Sequence, residues 1–388
     1  MDPPLQRVMQ AIAAVGGDVR AVGGAVRDHL LGDAVGDVDL ATTLLAPETV
    51  AALENAGIQA IPTGLAHGTI TARLASQNFE ITSLRQDVHC DGRHATVQFG
   101  KDWAADAARR DFTINALYLD QAGTIYDYHN GLADLATRRV RFIGDPQQRL
   151  AEDMLRLLRF FRFAARYASQ PDADGLNAAT LMAPGLPQLS GERLWDELRK
   201  MLTQQPNATL DALTMMEAAG ILPHLWQPAE LAQVDLASLT KLLQLDAACP
   251  ALLKLTVLLG VDAHHLQAIA TRLRLSRSQQ RDQQNWLQGV QLWQSGTLID
   301  WLDWIYLHGV GVASESLNWW WAQQQHLSPP APDGGYQQRL AAIARIEQLG
   351  SARFPETGHD LIAEGFAANA DLATELQNRR RAWLLAQG

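Results

Sequence analysis

An α+β fold is what the sequence predicts, with strands and helices mixed in the first third of the chain and helices alone after it. Three observations carry this. The apolar Val19, Ala21 and Val22 run into the glycine turn Gly23-Gly24-Ala25-Val26-Arg27-Asp28, a strand entering a turn whose missing side chains let backbone N–H groups approach an anion. Thr69 to Leu74 with Phe79 to Leu84, and then Leu117 to Tyr128, read as hairpins around Ser76-Gln77-Asn78 and Gln121-Ala122-Gly123. Beyond residue 135 strand-like alternation nearly vanishes, and Leu and Ala recur at helical spacing through 151–168, 192–203, 209–219, 237–246, 251–258 and 263–273.

Taken in order, residues 5–15 carry Val8, Ile12 and Val15 at helical spacing, and Gly16-Gly17-Asp18 ends that helix before the first strand. About ten residues after the glycine turn comes Asp37-Val38-Asp39. Side chains alternate along a strand, so Asp37 and Asp39 share a face while Val38 enters the core. Two hard oxygen ligands with room left for phosphate oxygens suit Mg²⁺. A helix over 47–56 follows, and then the first hairpin, whose second strand carries Glu80. That residue suits a third metal carboxylate and equally a solvated strand position. Gln86 to Thr96, with Asp87, His89, Asp91, Gly92, Arg93 and His94, has almost no apolar anchor and reads as a mobile loop. Trp103 to Leu117 includes Arg109-Arg110-Asp111-Phe112-Thr113-Ile114-Asn115-Ala116; as a helix it puts Asp111 and Asn115 one turn apart, able to bond one sugar, with Arg109 or Arg110 reaching a triphosphate.

Glu152 to Phe163 holds Asp153, Arg156, Arg159 and Arg162 every three residues. On a helix they form a drifting stripe that can meet the donor and acceptor edge of a nucleobase, and an ion-paired amphipathic helix has the same pattern. Further on, Ser190 is placed to cap the helix of Gly191-Glu192-Arg193-Leu194-Trp195-Asp196-Glu197-Leu198. Ser328-Pro329-Pro330-Ala331-Pro332-Asp333-Gly334-Gly335 reads as a linker, and 336–388 as two more helices around Phe354 to Gly358. The bunched Trp301, Trp304 and Trp319 to Trp321 are expected in the core rather than as stacking platforms for bases.

Composition narrows the function. At 388 residues the chain fits two to four domains, and 47% hydrophobic with 19% charged residues marks a globular protein. Met1-Asp2-Pro3-Pro4 lacks the features of a secretory signal and no run of 18 apolar residues occurs, so a cytoplasmic protein without a membrane partner is expected. Cys90 and Cys249 form no CxxC, which removes a zinc site or disulfide framework. A net charge of −10 argues against indiscriminate nucleic-acid binding, yet Arg138 to Arg166 holds eight Arg against Asp145, Glu152 and Asp153, and draws polyanions there.

GGAVRD, DVD, RRDFTINAL and EDMLRLLRFFRF, in this order and at these intervals, resemble the class II tRNA nucleotidyltransferases and their bacterial poly(A) polymerase relatives. The resemblance is dense over residues 19–166. Thr63-Gly64-Leu65-Ala66-His67-Gly68-Thr69, Glu80-Ile81-Thr82-Ser83-Leu84-Arg85 and Gly92-Arg93-His94 look like the CCA-adding branch. The helical remainder fits through SGERLWDEL and Arg274-Leu275-Ser276-Arg277, while Phe366-Ala367-Ala368-Asn369 stands where the shorter bacterial members tend to carry a Gly-Pro turn. No HD-type phosphohydrolase pattern accompanies it.

The resemblance implies a small mixed-sheet, polymerase-beta-like nucleotidyltransferase head over 1–135, a helical neck over 136–205 that selects the base, a tRNA-binding body over 206–330 and a tail over 331–388. Asp37 and Asp39 would bind Mg²⁺ with Glu80 as a catalytic neighbour. Gly24 and Arg27 would take the triphosphate, Gly23 belonging to the same nucleotide-binding turn. Arg110, Asp111 and Asn115 would hold triphosphate and ribose, while Asp153 and Arg156, assisted by Arg159 and Arg162, would form a protein template for CTP or ATP. The implied reaction is attack of a tRNA 3′-hydroxyl on the α-phosphate with loss of pyrophosphate, adding CCA with no obligate protein partner. Enzymes adding only A or only CC, a poly(A) polymerase and an inactive RNA-binding relative are the alternatives. CC-restricted members are expected to lack the 86–96 loop, and a polymerase to carry a more basic tail than Arg379-Arg380-Arg381.

Overall fold

The computed structural model describes residues 2–90, 95–226, 234–260, 262–324 and 334–387, without the side chains of 87–97, 263 and 334. Two compact units result: Met1–Leu189 with Met215–Ile221, and Ser190–Thr214 with Leu222–Gly388.

The first unit runs α1 (Pro3–Ala14), β1 (Val19–Val22), α2 (Gly24–Leu31), β2 (Asp39–Thr42), α3 (Ala46–Asn55), β3 (Gln59–Gly64), β4 (Thr69–Leu74) and β5 (Gln77–Ser83). It continues with β6 (Arg85–Cys90), β7 (Ala95–Phe99), α4 (Trp103–Ala108), β8 (Leu117–Leu119), β9 (Ile125–Asp127), α5 (Gly131–Ala136), α6 (Pro146–Glu152), α7 (Leu155–Tyr167) and α8 (Ala173–Met182). Seven strands form one sheet in the order β3-β4-β5-β2-β1-β8-β9. Only the β2–β5 pair is parallel, which makes the sheet mixed as expected. Both expected hairpins are present. The first turns at Ala75-Ser76, where both residues take positive φ (50° and 65°), so β5 begins at Gln77, inside the segment read as the turn.

Gly23 takes φ +74°, a conformation that strains any residue with a Cβ, and through it the chain passes from β1 into α2 within one residue. Val22 pairs with Asp39 on one side and Tyr118 on the other, and Asp39 with Glu80. Residues directly opposite in a sheet share a face, so these four side chains stand on one side. That face is filled by a buried cluster of Val22, Ala41, Leu84, Trp103, Ala107, Ala116, Tyr118 and Ile143.

Three expectations need correction. Gln86 to Thr96 is not a loop throughout: β6 and β7 pair antiparallel as a separate two-stranded ribbon, and residues 91–94, which the loop reading centres on, lie outside the described residues. Main-chain pairing needs no apolar anchor, so its absence was no sign of a loop. Trp103 to Leu117 is not one helix. α4 ends at Ala108, Phe112 bridges to Phe142 with its ring fully buried, and Thr113–Asn115 make a single 3₁₀ turn. The 151–168 helix is broken at Asp153, whose backbone is extended (φ −154°, ψ 104°). Asp153 thus closes α6, and its carboxylate reaches past Met154 to accept the N–H of Leu155, the first residue of α7 (3.1 Å).

The second unit is helical: α9 (Gly191–Leu202), α10 (Pro206–Ala218, shared at its end with the first unit), α11 (Leu236–Leu245), α12 (Ala251–Leu258), α13 (Ala263–Leu273), α14 (Arg277–Ser295), α15 (Leu298–His308), α16 (Val310–Ala322), α17 (Gly334–Gln348), α18 (Gly358–Ala363) and α19 (Ala370–Ala386). The last block thus holds three helices rather than two, and Asn369 caps the third through Asp371 N and Leu372 N. Ser190 precedes α9, but its side chain makes no capping bond. Gly191 is required there, since a Cβ would meet the Arg272 carbonyl oxygen at 2.2 Å. Trp301, Trp304, Trp319, Trp320 and Trp321 are all buried, as expected of core residues. The Ser328 to Asp333 part of the linker lies outside the described residues. Arg379, Arg380 and Arg381, read as a short basic tail, are tied instead to Glu356, Glu364, Glu375, Asp300 and Asp303. Among the described residues no helix is long and apolar enough to cross a membrane.

Candidate active site

All thirteen residues singled out as site candidates lie in the first unit. Asp39 opens β2 directly opposite Glu80, with Asp37 two residues before it, at the sheet end where Gly23 leaves β1. All three acidic side chains reach solvent. Asp39 is nevertheless held above the usual carboxylate range, first by desolvation in its crowded position, then by the Glu80 and Asp37 charges, with Arg110 pulling the other way. This mutual repulsion among hard oxygen donors is what a divalent cation relieves, so the donor set fits Mg²⁺. The three ligand atoms stand wider apart than those of Asp262, His264 and His265, the one grouping within 4.8 Å among the described residues. There Asp262 already caps α13 through His265 N.

The head of α2 follows directly on β1, whose last residue Val22 pairs with Asp39. Its first intrahelical bond runs from Arg27 N to the Gly23 carbonyl (3.1 Å), which leaves the preceding N–H groups of Gly24, Ala25 and Val26 without helical acceptors. The Gly23 N–H itself is bonded to Leu117 O. Arg27 is only 5% exposed; Nη1 donates to Asn115 Oδ1 (2.5 Å), Nε to Asp28, and the guanidinium lies 4.1 Å from the Tyr167 ring centre. Tyr167 donates to Asp28 Oδ1 (3.0 Å), and burial pushes its phenol up to about 12.

Asn115 Nδ2 donates to Asp111 Oδ1 (3.3 Å), so the two meet as expected although no helix joins them. Asp111 also accepts from Phe112 N and from Arg159 Nε (2.7 Å). Burial alone would raise its carboxyl, and Arg159 with these hydrogen bonds holds it below the usual range. A continuous chain therefore runs Arg27–Asn115–Asp111–Arg159, from the glycine-turn helix α2 to α7. Arg156 Nη1 bonds Glu152 (2.7 Å) and the Arg149 carbonyl, and Nη2 reaches the carbonyl of Arg109 (3.3 Å). Asp153 sits at the head of α7, and Arg162 lies 4.4 Å over the Phe163 ring.

Four residues escaped sequence reasoning. Buried Asp106 binds Arg109, Arg110 and the Tyr118 hydroxyl. Its spacing of three and four residues before Arg109-Arg110 was the available signal. Arg149 Nη2 donates to the carbonyls of Arg109 (2.5 Å) and Arg110 (2.6 Å), while Glu152 joins Arg149 to Arg156. A groove of about 640 Å³ has Asp37 on its rim, but its floor of Ala21, Phe79 and Leu119 alternates with Val22, Glu80 and Tyr118 and so belongs to the opposite face.

A glycine turn set against carboxylates at one sheet end, with an arginine between them, defines a nucleotidyltransferase head, and residues 19–141 match the family described as Poly A polymerase head domain. The chain is 34% identical over 391 aligned residues to the CCA tRNA nucleotidyltransferase 1, mitochondrial, of Mus musculus, covering 98% of this chain and 86% of that protein. It belongs to the CCA tRNA nucleotidyltransferase, or CCA-adding enzyme, family and is an enzyme of that class. A CCA-adding enzyme of Streptococcus suis (strain 05ZYH33) is 32% identical over 292 residues, covering 74% of this chain and 71% of that one. The fold is shared with the Bacillus stearothermophilus CCA-adding enzyme in complex with CTP, at TM-score 0.79, 24% identity and coverage of 100% and 98%. It is also shared with the Thermotoga maritima enzyme complexed with tRNA, at TM-score 0.65, 19% identity and coverage of 97% and 90%.

Proposed function

We propose that this enzyme completes the 3′ end of tRNA with C, C and A, taking CTP and ATP and releasing pyrophosphate. The observation that carries the reading is the unbroken chain Arg27–Asn115–Asp111–Arg159, which ties the anion-binding turn to the helix bearing the candidate base selectors. In it, the N–H groups at the head of α2 and Arg110 receive the triphosphate, and Asp111 with Asn115 meets the ribose. Asp153 accepts from and Arg156 donates to the base edge, with Arg159 and Arg162 supporting them. Asp37 and Asp39, with Glu80 beside them, would hold Mg²⁺, which when bound stabilises the attacking and leaving oxygens of an in-line displacement. Everything else asked of the protein is positioning and charge neutralisation, which suits a site built from arginines, carboxylates and backbone N–H groups.

The division into head, neck, body and tail, and a cytoplasmic setting, belong to the same reading. Full CCA addition over CC alone is supported by the β6–β7 ribbon, which occupies the stretch that CC-restricted members are expected to lack. The test is a sequencing read of the 3′ end of tRNA ending at the discriminator base, after incubation with CTP, ATP or both. C, C and A followed by arrest is the expected product. A long A tract on arbitrary RNA means a polymerase, CC alone or A on CC-ended tRNA a specialised enzyme, and no product an inactive relative.

A further inference from the structure

Arg110 has three nitrogens to place, and the protein accounts for two of them. Nε donates to the Tyr118 hydroxyl (3.1 Å) and Nη2 to Asp106 Oδ2 (3.0 Å), while the Tyr118 hydroxyl in turn donates to that same Oδ2 (2.8 Å). This closed triangle fixes the plane of the guanidinium, because a planar fork held at two nitrogens has no remaining rotation. The third nitrogen, Nη1, makes no hydrogen bond among the described residues and lies 3.7 Å from where a Cβ on Gly23 would stand, beside the glycine turn and within electrostatic reach of Asp39. The other oxygen of Asp106, Oδ1, is held by Arg109 Nε (2.9 Å) and Nη2 (2.7 Å) and accepts a longer bond from the Arg85 N–H (3.5 Å). Asp106 is 1% exposed.

Every group facing the Asp106 carboxylate is therefore a donor. An amide in its place would turn an N–H₂ toward an arginine or a hydroxyl proton, so only a carboxylate satisfies the arrangement. We propose that Asp106 is a positioning residue that, through Arg110 and Tyr118, aims Arg110 Nη1 at the triphosphate of the incoming nucleotide. The proposal rests on the reading of Arg110 as a triphosphate ligand given above. Because the triangle touches neither Asp153 nor Arg156, its effect is the same for every base.

The test measures inhibition of nucleotide addition by inorganic tripolyphosphate at fixed free magnesium, together with KM and kcat for CTP and ATP, below the melting temperature of each variant. Asp106→Asn is expected to raise the tripolyphosphate Ki about tenfold and the KM for CTP and ATP by the same factor, the scale of one charge-assisted hydrogen bond. Preference over UTP and GTP stays at the parent ratio, and Asp106→Glu, which restores a carboxylate, recovers part of the loss. Should Asp106→Asn fail to fold, Tyr118→Phe carries the test, with an expected rise of about threefold. A Ki within twofold of the parent in the folded variant, while Arg110→Ala raises it, overturns the role of Asp106. If Arg110→Ala also leaves the Ki unchanged, Arg110 is not a triphosphate ligand, and the proposal falls with that reading.

Discussion

Arg159 on α7 and Asp111 close a 2.5 Å ion pair across 48 residues of sequence. With Asp106, this makes two buried carboxylates of the first unit that are held below their usual range. A carboxylate whose folded pKa lies below its unfolded value, about 3.9, stabilises the fold above the unfolded value and loses that contribution as pH falls from there through the folded value. The melting temperature of the parent is therefore expected to fall as pH drops below about 4. Asp111→Asn should lower stability by about 3 kcal/mol at neutral pH, since it leaves Arg159 facing a neutral amide. The gap between the two should narrow in acid, which thermal melts from pH 3 to 7 measure; a gap constant over that range would refute it.

Replacing Asp37 or Asp39 by alanine should abolish nucleotide addition, at least a thousandfold, while tRNA binding is kept. Loss of the cation removes several kcal/mol of transition-state charge stabilisation, and neither side chain is part of the core. Glu80→Gln is expected to be milder, because both carboxylates read as the ligands, Asp37 and Asp39, remain. Single-turnover rates beside filter binding of tRNA separate the two effects, and near-parent turnover in either alanine variant would exclude that carboxylate as a ligand.

Alanine at Asp153 or Arg156 should relax base choice toward UTP and GTP, each lost pairing contributing ~1–3 kcal/mol of discrimination. Arg156 also bonds the Arg109 carbonyl, so its loss should slow addition of every nucleotide, while Asp153→Ala should cost about 1 kcal/mol of stability by removing the bond to the Leu155 N–H. Competition between labelled nucleotides reads the ratio. Unchanged discrimination in both variants would assign the template to other residues.

In the second unit the half-buried Glu315 has its carboxyl raised, chiefly by desolvation, although Trp286 Nε1 donates to it (2.7 Å). A raised carboxyl is most favourable below its unfolded pKa of about 4.3 and costs stability as pH rises through the folded value. Glu315→Gln keeps an acceptor for Trp286 and removes that cost. It should raise the melting temperature at pH 7, with the gain disappearing by about pH 4. A loss of stability at neutral pH would show that the charge itself is needed.

Much of the first unit was legible because its signals are local. Gly23 marks the passage from strand to helix, and the two aspartates mark the exposed start of β2, although that strand begins only at Asp39 and Val38 ahead of it is half-buried rather than core. Glu80 was found through the hairpin, although its pairing with Asp39 depends on a parallel contact that no spacing encodes. The break at Asp153 was hidden because one extended residue hardly disturbs a period of three, and the bond from its carboxylate to the Leu155 N–H leaves no mark in the spacing. The β6–β7 ribbon rests on main-chain pairing, and Arg149 acts on carbonyls 40 and 39 residues away, neither of which leaves a trace in residue type. Asp106 showed half of its role in its spacing to Arg109 and Arg110, while Tyr118 enters only through the fold.

Since β2 and β5 run parallel and meet with Asp39 beside Glu80, everything between Thr42 and Gln77 is a connection that returns the chain to pair beside β2 in the interior of the sheet. Length changes in the bends of that connection leave the two carboxylates where they are. Removal of one residue of β5 ahead of Glu80 swings every following side chain, Glu80 included, to the opposite face and takes that carboxylate away from Asp39. Divergence in chain length is thus channelled: lineages can gain or lose residues around α3, β3 and β4, whereas the two short strands tolerate substitution but no frame shift in their pleat.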